Sequence, residues 1–469
     1  MHRSSVSRHC STPSLFTALP AELLVEILHH SADVHHVIKN FSLTCKALNK
    51  LVKSSFQSEH IAAHIASKDA GLAETFQKVC AKGCLPMASM LLRIGVQAVG
   101  ALVEASANGQ GEVVRMLLEG GADVSAQGDE SLVIASENGH LEVVCLLLDG
   151  GADVHAKGGS ALSMAAQDGH SEVVRLLLQV GADVHANDDM ALVLAAENGH
   201  AGVVQTLLEA SKSQQSQSPY GYALLAAAAH GHVEVVRMLF EMASDVYSVC
   251  ALYVHIDDAL VIAAENGHAN MVSTLLQVVA NVGSKNTQID SALVLAAENG
   301  HEKVVGILLQ TGGDVRAQYD KALAMASRNG HSDVVSMLLL QVDVDVQHVN
   351  VGAALMQAAT FGRAEVVNIL LLQGGAYVHA QCCAALMQAA AFGHAEVVNI
   401  LLLQGGACVH AQCGDALMQA AASGHSKVVN ILLQHGGNYV HDKCGDALLK
   451  AFEKGHLDIF HNLLLKVLD

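Results

Sequence analysis

The dipeptide Gly-His returns about every 30 residues through most of this chain. It stands at Gly139-His140, Gly169-His170, Gly199-His200, Gly231-His232, Gly267-His268, Gly300-His301, Gly330-His331, Gly393-His394, Gly424-His425 and Gly455-His456. Gly109-Gln110 and Gly362-Arg363 keep the phase with a changed second residue. Ala-Leu-x-x-Ala-Ala-x-x precedes each glycine, and x-x-Val-Val-x-x-Leu-Leu follows it, with small variations. A fixed period of this size implies stacked supersecondary units. Length alone would suggest about three domains for 469 residues. A solenoid, however, grows by adding units without enlarging a single core.

One unit, Ser160 to His185, shows why the pattern folds locally. Ala161, Leu162, Ala165 and Ala166 fall at helical spacing and form the apolar stripe of a short first helix. Gly169 supplies the left-handed residue that ends it. Val173, Val174, Leu176, Leu177 and Leu178 make a second helix too apolar to stand in water, so it is expected to lie between neighbours. Glu172 sits in its first turn, where the helix dipole favours a carboxylate. Gly181 ends the second helix, and Ala182-Asp183-Val184 leads to the next unit.

Composition excludes several function classes. The formal charge is −19; residues 1–56 carry +3, leaving −22 for the remainder. An acidic array repels phosphate backbones, which argues against nucleic-acid binding. No apolar run approaches the ~18 residues of a membrane span. Residues 1–14 hold Arg3 and Arg8 but no apolar core, so they read as a disordered tail without a secretory signal. The 11 cysteines are then expected to be reduced thiols in the cytoplasm or nucleus.

Gly-His, Glu-Val-Val, Leu-Leu and Gly-Ala-Asp-Val, together, in order and repeated, resemble the ankyrin repeat over residues 99–469. The resemblance implies a mainly α fold: an ankyrin-type solenoid of about twelve helix-turn-helix repeats ending near Leu468. Gly83 with Met90-Leu91-Leu92 suggests a degenerate thirteenth unit, so residues 57–98 read as helical linker or degenerate repeat. The family's Thr-Pro-Leu-His is reduced here to residues such as Ser160-Ala161-Leu162-Ser163, and the loop before it is about three residues short. Compact loops with little β structure are expected in place of long hairpins. Insertions near 209–222 and 244–258 interrupt the period, either as surface loops or as a kink between two stacks.

In ankyrin repeats the two variable residues before Gly-His commonly face the concave surface. Carried onto this chain, they are Glu137/Asn138, Gln167/Asp168, Glu197/Asn198, Glu265/Asn266, Glu298/Asn299 and Arg328/Asn329. Ala229/His230 falls within that series, and Thr360/Phe361, Ala391/Phe392, Ala422/Ser423 and Glu453/Lys454 follow it. The row is acidic or amide up to Asn299 and aromatic at Phe361 and Phe392. Paired exposed aromatics on adjacent units, roughly 10 Å apart, are the kind of anchor that supplies binding energy. Residues 354–382 and 385–413 differ only at Thr360/Ala391, Arg363/His394 and Tyr377/Cys408. Duplication alone therefore also accounts for the two rings, and the acidic run reads equally as a solvated face.

Ten of the 28 histidines belong to the Gly-His words and are expected to satisfy backbone groups at the turns. His379-x-x-Cys382, His410-x-x-Cys413 and His441-x-x-Cys444 carry zinc-ligand types. Stacking places equivalent residues about a helix diameter apart, too far to share one ion. No metal or cofactor is expected. There is no phosphate-cradling Gly-Lys loop, no Gly-x-Ser-x-Gly and no His-Glu-x-x-His. The sequence does not read as an enzyme.

Residues 15–56 break from the repeat. Leu19-Pro20-Ala21-Glu22-Leu23-Leu24-Val25-Glu26-Ile27-Leu28 puts proline at a helix start with an apolar stripe behind it. Cys45-Lys46-Ala47-Leu48 lies in a second helical stretch. The segment resembles an F-box, with Ala47 and Leu48 where Trp or Arg is often found after Cys-Lys. That resemblance implies docking of Leu19, Pro20, Leu23, Leu24, Ile27 and Leu28 on the adaptor of a cullin-based ubiquitin ligase, some of them serving the motif's own core. A helical cap on the first repeat is the other reading. Two functions follow: a monomeric, non-catalytic substrate receptor whose array binds a protein target, or an ankyrin scaffold without a ligase link.

Overall fold

The computed structural model describes residues 70–93, 96, 100–125, 129–211, 220–243, 246–282, 288–311, 316–341, 351–373, 375–404, 413–435 and 443–468. Residues 1–14 and the F-box-like segment 15–56 lie outside these. The chain divides into two compact units, Met1–Pro219 and Tyr220–Asp469. The division falls at the end of the polar stretch read as the first insertion, of which 212–219 are outside the described residues.

In the first unit α1 (Ala70–Ala81) pairs with α2 (Leu85–Arg93), and α3 (Ala101–Ala107) with α4 (Gly111–Glu119). Then come α5 (Glu130–Glu137) with α6 (Leu141–Asp149), α7 (Ala156–Gln167) with α8 (Ser171–Gln179), and α9 (Ala186–Glu197) with α10 (Ala201–Ser211). The second unit begins with α11 (Tyr220–His230) and α12 (Val233–Met242), then α13 (Val246–Glu265) and α14 (Ala269–Val282). It continues with α15 (Ile289–Glu298) and α16 (Glu302–Gln310), α17 (Arg316–Asn329) and α18 (Ser332–Gln341), and α19 (Val351–Thr360) and α20 (Ala364–Gln373). It closes with α21 (Gly375–Phe392) and α22 (Ala395–Gln404), α23 (Cys413–Ser423) and α24 (Ser426–His435), and α25 (Cys444–Lys454) and α26 (Leu457–Leu468).

Within each unit first helices pack on first helices and second helices on second, so each is a two-layered solenoid of helix pairs. The residue types explain the layers. Ala161, Leu162, Ala165 and Ala166 of α7 are buried, as are Val173, Val174 and Leu177 of α8, and the same positions are buried along both units. Small alanines let the first helices approach closely, while Val-Val and Leu fill the space between second helices. No strand occurs among the described residues, in keeping with the shortened loops.

The Gly-His turn is a compact solution to two helix ends meeting. Gly139 has φ +73, and the His140 amide donates to the Ala135 carbonyl at 2.9 Å, closing α5 in a Schellman-type cap. His140 itself has φ −82 and ψ 75, and the Leu141 amide donates to the Gly139 carbonyl at 3.0 Å. That is an inverse γ-turn, which starts α6 with no spare residue. Gly83 (φ +68) makes the same turn between α1 and α2, with the Cys84 amide on the Val79 carbonyl.

At the other end of the repeat Gly151 (φ +92) caps α6, and the Asp153 carboxylate accepts from the His155 amide at 2.9 Å. This Asx-turn explains the Gly-Ala-Asp-Val word. The α7 and α9 spans contain breaks of three left-handed residues, Lys157-Gly158-Gly159 and Asn187-Asp188-Asp189. The second insertion is not wholly a loop. From Val246 it is helical and extends the first helix of its repeat backwards. Leu252, Ile256, Ala259, Leu260 and Ala263 are buried at helical spacing, which drives that extension.

Candidate protein-binding surface

The stack leaves one edge of each first helix open: the last turn before Gly-His. Its two Ala-Ala positions are buried, and the next two residues are not. Glu137, Asn138, Asp168, Asn198, Glu265, Asn266, Asn299, Arg328, Phe361 and Phe392 are exposed, while Gln167, Glu197, Glu298 and Asn329 are half-buried.

What lies beneath this row is a ladder between repeats. The His170 ring donates from Nε2 to the Glu137 carbonyl at 2.8 Å. His200 does so to Gln167 (2.9 Å), His301 to Glu265 (2.8 Å), His331 to Glu298 (2.9 Å) and His394 to Thr360 (2.8 Å). A carbonyl only accepts, so the proton sits on Nε2. Where arginine replaces histidine, Arg363 Nε donates to the Arg328 carbonyl at 2.9 Å. The histidines thus do more than complete their own turns. Each of the histidines named here ties its repeat to the previous one.

The asparagines of the row are also partly architectural. Asn138 and Asn198 donate from Nδ2 to the carbonyls of Ile134 and Leu194, one turn back in their own helices. Asn266 and Asn329 donate instead to Ala229 and Glu298 of the preceding repeat, and Asn299 reaches both Leu295 and Glu265. Each of these bonds uses an Nδ2 proton and leaves the Oδ1 of the asparagine as an acceptor. Together with the carboxylates of Glu137 and Asp168 in the first unit, and Glu265 and Glu298 in the second, these oxygens form rows of acceptors. Such rows suit N–H donors, Lys or Arg, on whatever docks.

In the second unit the row changes chemistry. Phe361 and Phe392 are 41% and 56% exposed, on neighbouring helix pairs. The Arg328 guanidinium carbon lies 4.7 Å from the centre of the Phe361 ring, a cation–π contact that orders the ring without covering it. Met356, five residues before Phe361 and also exposed, was not singled out from the sequence. Met387 and Met418, half-buried, repeat its position. The recurring Ala-Leu-Met-Gln word was the available signal.

Cys382, Cys413 and Cys444 of the His-x-x-Cys series are buried in the first-helix layer. Burial pushes the Cys413 thiol up to about 11 and raises that of Cys444. Protonated and packed, these thiols serve as small apolar side chains. Cys80, near Cys84, is likewise buried, its thiol pushed up to about 12. The side chains of His379, His410 and His441 lie outside the described residues.

A family model described as "Ankyrin repeats (3 copies)" matches residues 63–158, 102–188, 162–250, 249–319, 311–382 and 386–468. The chain is an ankyrin-repeat protein. Its ankyrin repeats are protein–protein interaction modules, and the open edge of the first helices carries one row of exposed side chains. The matches begin at residue 63, so the F-box-like segment is outside them. No curated protein is similar enough to the chain to count as a relative. Among the described residues, no helix is long and apolar enough to cross a membrane.

Proposed function

We propose that this ankyrin-repeat protein is a non-catalytic substrate receptor, monomeric and acting in the cytoplasm or nucleus. The array holds a protein target, and residues 15–56 engage the adaptor of a cullin-based ubiquitin ligase through Leu19, Pro20, Leu23, Leu24, Ile27 and Leu28. Its contribution is positional, raising the effective concentration of the target near the ligase. The observation that carries the target-binding half is the exposed pair Phe361 and Phe392 beside a row of carboxylates and amide oxygens. The ligase half rests on the Leu-Pro-x-Glu-Leu-Leu-x-x-Ile-Leu word alone.

Co-precipitation separates the receptor from a plain ankyrin scaffold. The intact chain is expected to bring down adaptor and cullin, and a Leu23→Asp/Leu24→Asp variant neither. Should the intact chain recover neither protein, residues 15–56 are a cap on the array and the scaffold reading stands.

A further inference from the structure

The second-helix layer of the second unit carries an exposed face unlike the rest of the array. Counting five residues on from the second valine of each Val-Val word reaches an outward position near the end of the second helix. Upstream it is Glu119, Asp149, Gln179, Glu209, Glu241, Gln277 and Gln310, and after the stretch below it returns to Gln434. On α18, α20 and α22 it is leucine: Leu340, Leu372 and Leu403, exposed by 78%, 71% and 67%.

A second feature accompanies the leucines on these three helices. In α4, α8 and α12 the first-turn carboxylates Glu112, Glu172 and Glu234 pair with Arg115, Arg175 and Arg237 three residues on. The corresponding carboxylates of α18, α20 and α22 are Asp333, Glu365 and Glu396, all exposed. Three residues on, Ser336, Asn368 and Asn399 replace arginine. Among the described residues, none of the three carboxylates has an ion-pair partner.

The two changes make one surface. Glu365 and Leu372 are seven residues apart, two turns of one helix, so they share a side and lie about 10.5 Å apart along it. The three helices pack side by side in order, and Gln404 of α22 donates to Asn368 Oδ1 of α20 at 3.0 Å across their outer sides. A row of three leucines therefore runs parallel to a row of three uncompensated carboxylates. Duplication accounts for likeness between α20 and α22 but not for α18, whose Ser-Asp-Val-Val-Ser-Met differs from Ala-Glu-Val-Val-Asn-Ile.

We propose that this outer face of α18, α20 and α22 docks an amphipathic helix of a partner protein, with an apolar stripe on the leucine row and Lys or Arg beside it over the carboxylates. An α-helix is about 10–12 Å across with its side chains, which matches the separation of the rows. Three helices at about 8–10 Å spacing take roughly 13 residues of such a partner. Exposed contiguous leucines are a cost in a free monomer and a gain at an interface. The carboxylates select a cationic occupant and repel anionic ones. The site is separate from the Gly-His edge and independent of residues 15–56.

The test uses the full chain and a fluorescein-labelled helical peptide of 18 residues with a leucine stripe flanked by lysines, read by fluorescence anisotropy. Binding is expected, weakening as salt rises, with none for the same peptide carrying Glu in place of Lys. Leu372→Gln/Leu403→Gln, which installs the residue other repeats use, is expected to weaken it at least tenfold. Asn368→Arg/Asn399→Arg, which restores the Glu–Arg pairing of α4 and α8 and leaves the leucines in place, is expected to weaken it several-fold. No binding by the intact chain, equal binding of the Glu peptide, or equal binding by both variants overturns the proposal. So does salt-sensitive binding to anionic phospholipid vesicles in place of the peptide. Sedimentation showing a dimer that Leu372→Gln/Leu403→Gln dissociates would assign the face to a second copy and overturn it as well.

Discussion

The His170 imidazole and Gly139 belong to successive repeats, yet they fill one site: the His170 Nδ1 lies 2.4 Å from where a β-carbon on Gly139 would stand. The same ring donates to the Glu137 carbonyl, 33 residues before it. Glycine at this turn thus answers two demands, a left-handed backbone and space for the next repeat's ring.

Removing the ring should leave the carbonyl without its partner. His170→Ala is expected to lower stability by about 1–2 kcal/mol. Arg363 already replaces histidine with its Nε on the Arg328 carbonyl and its side chain over Gly330. Arg363→His is therefore expected to stay within about 0.5 kcal/mol of the parent. Urea unfolding of the three proteins checks both.

The two demands on glycine separate at Gly393 and Gly455, which share a φ near +80. His425 Nδ1 lies 2.5 Å from the β-carbon position of Gly393, whereas nothing lies within 4 Å of that of Gly455. Gly455→Ala should cost about 1–2 kcal/mol, the backbone penalty alone. Gly393→Ala should cost clearly more, with the difference read as a lower melting temperature.

Ser106, Ser136 and Ser327 stand where other repeats have the second alanine of Ala-Ala, and each buries its hydroxyl without a hydrogen bond. An unsatisfied buried hydroxyl costs about 1–3 kcal/mol. Ser→Ala at each position is expected to stabilise by roughly 1 kcal/mol, at the low end of that cost, raising the denaturation midpoint.

Phe361→Ala/Phe392→Ala is expected to weaken target capture in pull-downs while the melting temperature barely moves, since both rings are exposed. A large fall in melting temperature would show that the rings pack the array.

Burial raises the Cys413 thiol to about 11, above the ordinary thiol range. A proton held more tightly in the folded state stabilises below the unfolded pKa, and that contribution disappears as pH climbs through the folded one. Stability should therefore fall between about pH 8.5 and 11. A Cys413→Ala variant should show a smaller fall over the same window, measured by chemical denaturation at each pH.

The repeat, its two helices and its two capping glycines were legible because each is local: periodicity, left-handed turn residues and an Asx-turn lie within a few positions of one another. The reach of His170 to Glu137 was not, because nothing local to Gly-His says which carbonyl the ring finds. A clue existed in the substitution Arg363, a long donor at the histidine position. The asparagines before Gly-His read as surface residues, whereas Asn299 and Asn329 bond the preceding repeat, a contact about 30 residues long. Leu340, Leu372 and Leu403 were hidden for the opposite reason. Within Leu-Leu-Leu-Gln an exposed leucine looks like a buried one, and only comparison with Gln310 and Gln434 separates them.

The histidine bridge also bears on how such an array can lengthen. Each inserted copy arrives with a ring for the glycine before it and with a glycine for the ring after it, so both new junctions are complete at birth. The near-identical stretches 354–382 and 385–413 are what that permits. Arg363 and His394, which differ between the two copies, still close their junctions with the carbonyls of Arg328 and Thr360. Growth by copying needs no second, repairing mutation, and the array is in this sense its own template for extension.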